Sequence, residues 1–176
     1  MKKLLLINTL AATAACTAVS APQTPPSTLP TAVQEEVKRD AQICREAGGD
    51  FALGDAVFSA DLNHDGHTDY IYDAGLTYCA NAPGFSGNSG AQVTVFAGQA
   101  DGSAQEAFKH GAHGASLIDG KLYLGVGGQL CGQNTTGKSR AEYEGCIRPL
   151  VWNAGKQVFE FAPVAQIRPL PQSWER

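Results

Sequence analysis

Between Asp61 and Tyr70 the chain reads Asp61-Leu62-Asn63-His64-Asp65-Gly66-His67-Thr68-Asp69-Tyr70. Oxygen-bearing side chains recur at alternate residues, Gly66 can supply a sharp turn, and a further carboxylate follows. Hard cations such as Ca²⁺ take about six to eight oxygens, and ligands at alternate positions let a tight loop wind around the ion. Numbered from Asp61, the side chains of Asp61, Asn63 and Asp65 fall at positions 1, 3 and 5, the His67 carbonyl at 7 and Asp69 at 9. Three carboxylates exceed the charge of a divalent ion, so the loop repels itself when empty and a bound ion should order it. Mg²⁺ suits it less, because that ion demands octahedral geometry and keeps its waters. The plainer alternative is a solvated Asx-rich turn that holds no ion.

The loop departs from an EF-hand in two ways. Its twelfth position is Tyr72, where the EF-hand has a bidentate Glu, and both flanks read as strands rather than helices. An affinity at the weak extracellular end, about 10⁻⁴–10⁻³ M, follows from the missing ligand. In Asp61, Asn63, Asp65, Gly66 and Asp69, with apolar Leu62 and Tyr70 between and after them, the stretch resembles the DxNxDGxxD calcium loop of VCBS/FG-GAP-type repeats. The resemblance covers about residues 57–73 and implies a structural ion between β-strands. In those repeats the loop belongs to a propeller blade, and one copy makes no propeller. More broadly, the chain is similar to small bacterial exported proteins or lipoproteins that carry one such loop and several cysteines, a likeness that implies no activity.

Other residues could do chemistry in a less complete setting. Gly87-Asn88-Ser89-Gly90 resembles the nucleophile loop of trypsin-like serine proteases, but a nucleophilic serine needs a positioned base. The only upstream histidines, His64 and His67, lie inside the acidic loop. His110 and His113 could ligate a transition metal or act as bases, yet their glycine neighbours read as a surface turn. Gly125-Val126-Gly127-Gly128 follows a strand pattern with no helix pattern after it, which fails the context of a phosphate loop.

Setting Cys16 aside, Cys44, Cys79, Cys131 and Cys146 form an even set that allows three pairings. No two have CxxC spacing, so disulfides fit better than a metal knot. Pairs Cys44–Cys79 and Cys131–Cys146 are expected: the first tying a helix to the strand leaving the acidic loop, the second closing a polar loop.

The address agrees with disulfides. Lys2 and Lys3 precede an apolar run from Leu4 to Ala15, a secretory signal too short to be kept as a membrane span. Thr13-Ala14-Ala15-Cys16 resembles a lipoprotein signal that would lipidate Cys16, although Thr13 replaces the usual Leu; ordinary cleavage near Ala18-Val19-Ser20 is the alternative. The lipoprotein reading is preferred, which makes residues 16–30, with four prolines from Pro22 to Pro30, a tether. Removing residues 1–15 takes away two lysines and no acid, so the charge moves from −4 to −6 (11 Lys and Arg against 17 Asp and Glu). Without a basic cluster there is no footprint for nucleic acid.

The elements that must position the acidic loop can be read from the rest of the chain. Thr31 and Gln34 fit a capping box opening a helix over about 32–47, with Val33, Val37, Cys44 and Ala47 on its apolar stripe and Gly48-Gly49 as its stop. Strand patterns follow at 57–60, 70–73 (continuing through 77–79), 92–97, 107–110, 115–118, 121–126, 150–153 and 156–161. Asp119-Gly120 and Ala154-Gly155 mark hairpins. The predicted fold is mainly β, an antiparallel sheet, sandwich or small barrel of about seven or eight strands with one N-terminal helix, in a single domain over 31–176.

These observations lead to an exported domain of the cell envelope, periplasmic or anchored to the outer membrane by lipid, stabilised by one Ca²⁺ and two disulfides and non-catalytic. A soluble periplasmic or secreted form is the alternative. Its partner would be a protein or glycan of the envelope, met through the polar loops 80–90 and 131–146, and it would touch the membrane only through the lipid. Two rival functions are an enzyme inhibitor presenting the 131–146 loop and a small hydrolase using Ser89 or His110/His113.

Overall fold

The alternating run from Gln92 to Ala97 would face water on one side if it lay on a sheet surface. Instead every residue from Val93 to Gly98 is buried, because strands and a helix cover both faces. The computed structural model describes residues 28–82 and 90–171. Within them lie a helix α1 (Thr31–Glu46) and eleven strands: β1 (Asp50–Ala52), β2 (Val57–Ala60), β3 (Asp69–Asp73), β4 (Tyr78–Ala80), β5 (Ala91–Gly98), β6 (Ala104–Ala112), β7 (Ala115–Ile118), β8 (Lys121–Gly127), β9 (Gly145–Asn153), β10 (Val158–Phe161) and β11 (Arg168–Pro169). All pairings are antiparallel. They form three sheets, and none closes into a barrel.

The first sheet has the order β2-β3-β5-β6, and the second runs β10-β9-β8-β7 with β11 also on β9. Side chains alternate along a strand, so Ile71, Val93 and Val95 face the second sheet and meet Leu122, Leu124, Leu150 and Phe159 there. The opposite face presents Tyr72 and Phe96 to Val33 and Val37 of α1. Each such side chain contributes about 1.5–3 kcal/mol on full burial. The layers are thus helix, sheet, sheet.

The helix starts differently from the capping-box expectation. Pro30 is the N-cap, in extended conformation at φ −55° and ψ 147°, and no side chain caps the end. Its carbonyl already accepts the first helical bond from the Gln34 amide, which puts Thr31 one residue inside. The Gln34 side chain reaches back to the Leu29 carbonyl instead, at 2.6 Å. The end follows expectation: Gly48 takes φ +80°, and the Gly48 and Gly49 amides donate to the Arg45 and Cys44 carbonyls, both at 2.9 Å, as in a Schellman stop. Ala47 is exposed, and Ala41 takes its expected place among the buried residues.

A short two-stranded sheet pairs β1 with β4. The predicted continuation of the strand at 70–73 into 77–79 does not occur. A 3-10 turn over Ala74–Leu76 breaks it, held by Gly75 donating to Asp73 Oδ1 and Thr77 Oγ1 donating to the Ala74 carbonyl. The chain then leaves the large sheet and reaches Cys79, which is bonded to Cys44. Gly49 permits this approach, since a Cβ there would stand 2.4 Å from Cys79 Sγ. Cys131 and Cys146 form the second bond.

The Asp119-Gly120 hairpin forms as predicted, with φ of +52° and +74° at the two turn residues. The strand predicted at 150–153 is longer, because Gly145–Asn153 takes partners in three segments: β8, β10 and β11. The signal at 1–15, Cys16 and nearly all of the 16–30 tether, most of the 80–90 loop with Ser89, and residues 172–176 lie outside the described residues.

Candidate cation-binding loop

The acidic loop joins β2 to β3, which pair from Val57–Tyr72 to Ala60–Asp69. Its path is set by side-chain oxygens accepting from its own backbone. Asp61 Oδ1 and Oδ2 accept from the amides of Asp65 (3.2 Å) and Gly66 (3.1 Å). Asn63 Oδ1 accepts from the Asp65 amide at 3.1 Å, and Asp65 Oδ1 from the His67 amide at 2.8 Å. The Asn63 amide group donates to Asp65 Oδ2 at 2.8 Å. Gly66 at φ +86° and His64 at φ +60° make the turn; the second is a conformation that few non-glycine residues adopt. Hydrogen bonds from the His67 amide and the Asn63 side chain hold the Asp65 carboxyl below its ordinary range.

Asp69 behaves differently from the rest of the set. It is fully buried, and its two oxygens accept from backbone amides on opposite sides: Oδ2 from Leu62 at 2.8 Å and Oδ1 from Gly98 at 2.9 Å. It therefore clasps the start of the loop to the end of β5. Burial pushes its carboxyl up, opposed by these amide bonds. Gly98 allows the clasp to close, since a Cβ there would stand 2.2 Å from the Thr68 carbonyl oxygen. Tyr72, at the twelfth position, turns away from the loop; its hydroxyl donates to Asp40 of α1 at 2.6 Å, so it supplies no oxygen to an ion.

The donors of the loop are all oxygen, the chemistry a hard cation prefers. A carboxylate oxygen that accepts one amide bond keeps a second lone pair. Among the described residues no three His, Cys, Asp or Glu side chains already stand together as a metal group. Asp61, Asn63 and Asp65 are held in one turn by the loop's own backbone amides, while Asp69, at the start of β3, is bonded to the Leu62 and Gly98 amides.

The other candidates are placed apart. His110 lies on β6 with its ring 6.2 Å from that of Phe108 and 5.2 Å from that of Phe161, and its Nδ1 is 2.6 Å from the Gly111 carbonyl oxygen. His113 is exposed where β6 bends into β7. The 131–146 loop braces itself: the Gln133 side chain bonds both the carbonyl and the amide of Glu144, and Ser139 pairs with Glu142.

Two polar groups escaped the sequence reading. Asp73 is buried and bridges the Gly75 amide to that of Ala115 at 3.0 Å, linking the two large sheets. Glu36 is buried under α1 between Lys109 of β6 and Arg39. Its only signal was a position one turn from Val33, beside the apolar stripe. No family model, curated protein or solved structure matches this chain. The two disulfides fit an exported protein. Among the described residues no helix is long and apolar enough to cross a membrane.

Proposed function

We propose that this chain is a non-catalytic binding or structural domain of the cell envelope, stabilised by one Ca²⁺ in the 61–69 loop and anchored through a lipid on Cys16. The observation that carries the cation reading is the winding of the loop by its own amides around Asp61, Asn63 and Asp65. An ion there would take oxygens from Asp61, Asn63, Asp65, Asp69 and the His67 carbonyl, and would exchange the Asn63–Asp65 hydrogen bond for coordination. Its part is to hold the β2–β3 connection in place. The packing of His110 between aromatic rings supports a structural role for that residue rather than a base.

Thermal melting in Ca²⁺ and in chelator tests this reading, with wild type against Asp65→Ala. At about 10 mM Ca²⁺ and an affinity of about 10⁻⁴–10⁻³ M, binding adds about 1.4–2.7 kcal/mol. That raises the wild-type melting temperature by about 3–10 °C. Asp65→Ala should lose most of the shift. A wild-type melt that Ca²⁺ leaves in place overturns the cation.

A further inference from the structure

Beside the acidic loop, at the open end of the core between the sheets, lies a cavity of about 190 Å³. Trp152 and Phe159, paired across β9 and β10 with ring centroids 4.8 Å apart, form one wall, and Leu62 extends it. Asn63, His64 and Lys121 supply its polar lining. His64 stands there because of its left-handed backbone, φ +60°. Among the described residues the side chains of His64 and Lys121 and the Trp152 indole N–H have no hydrogen-bond or ion-pair partner. The chain has a net charge of −4, yet Lys121 is the charged residue of this lining, which contains no carboxylate.

We infer that this cavity binds a single carbohydrate ring bearing a carboxylate, a uronic-acid unit of a glycan. Three features lead there. The volume is below the roughly 300–1,000 Å³ of sites for drug-sized ligands, so the occupant is about one ring. An aromatic wall carries negative charge on its ring face, which favours the weakly positive C–H face of a sugar ring. The polar lining offers donors for hydroxyls and a cationic head for an acid, in an otherwise acidic protein. The inference names a ligand class for the binding role proposed above and does not require the cation.

The test uses the full chain with Trp174→Phe, so that Trp152 alone reports by fluorescence, together with ligand-observed saturation-transfer NMR. The probes are D-glucuronate, D-glucose, acetate and cyclohexanecarboxylate, each in Ca²⁺ and in chelator. Saturable glucuronate binding, stronger than that of glucose, is expected in at least one of the two conditions. Lys121→Ala, which alters an exposed strand end, should weaken it about tenfold with the melting temperature kept. Trp152→Ala should abolish the NMR signal. Acetate binding equal to glucuronate overturns the inference in favour of a simple anion site, and equal binding of cyclohexanecarboxylate overturns it in favour of an apolar acid. Absence of glucuronate binding in both conditions overturns it outright, whatever the Ca²⁺ melt shows.

Discussion

Asp69→Ala is the substitution that most directly examines how the loop is held. It removes both acceptors of the clasp, leaving the buried Gly98 amide and the partly buried Leu62 amide without partners. A hydrogen bond to a charged group contributes about 1.5–3 kcal/mol. Water can reach the Leu62 end, so its loss falls at the low side, while the Gly98 end bears the full desolvation penalty. Relief of the buried charge, whose burial raises the Asp69 carboxyl, offsets part of this. The net loss is about 2–4 kcal/mol, or about 4–16 °C in melting temperature for a domain of this size. Asp69→Asn keeps one acceptor and turns an NH₂ toward the other amide, so it should fall between wild type and Asp69→Ala. Melting is measured in chelator, where a bound cation contributes nothing, and hydrogen exchange is followed at Gly98 and Leu62. Protection should fall at these two amides first. An Asp69→Ala protein that melts within about 2 °C of wild type, below the smallest shift worked above, refutes the clasp.

Two further outcomes follow from the same geometry. Replacing the Cys44–Cys79 pair by serines releases a connection across 35 residues and should cost about 4 kcal/mol, against about 3 kcal/mol for Cys131–Cys146 across 15, read by denaturant unfolding; the reverse order would contradict the chain-entropy account. Burial raises the Asp40 carboxyl above its ordinary 3.8, opposed by the Tyr72 hydroxyl. The folded state then holds this proton to higher pH than the unfolded state, so this contribution is present below 3.8 and lost as pH rises through the raised pKa. Unfolding of wild type against Asp40→Asn across that window should show wild type losing stability relative to the variant, and a gain would refute it.

Local order was legible where the cause is local. Gly48-Gly49 ends a helix and Asp119-Gly120 turns a hairpin because backbone conformation at a few residues decides both. The alternating oxygens of 61–69 were readable as a turn around a centre for the same reason, and β2 and β3 were readable at its flanks. The 3-10 turn at Ala74–Leu76 was not, because Thr77 to Cys79 has strand-like composition and only partners elsewhere show where the strand stops. Thr31 looked like a cap because it can be one; the extended backbone of Pro30 took that place.

By itself the sequence determined the helix, most of the strands, the disulfide-compatible cysteine set and the oxygen-rich loop, since each depends on residues near one another in the chain. Tertiary structure alone decided which oxygens are free to serve the loop. Asp69 is at a ligand position by spacing, yet the approach of Gly98, 29 residues later, makes it a clasp between the loop and β5. Tyr72 is drawn off to Asp40, 32 residues earlier. It also decided that Trp152 meets Asn63, His64 and Lys121 at one cavity, which no local pattern foretells, because long-range packing brings separate strands to the same end of the core.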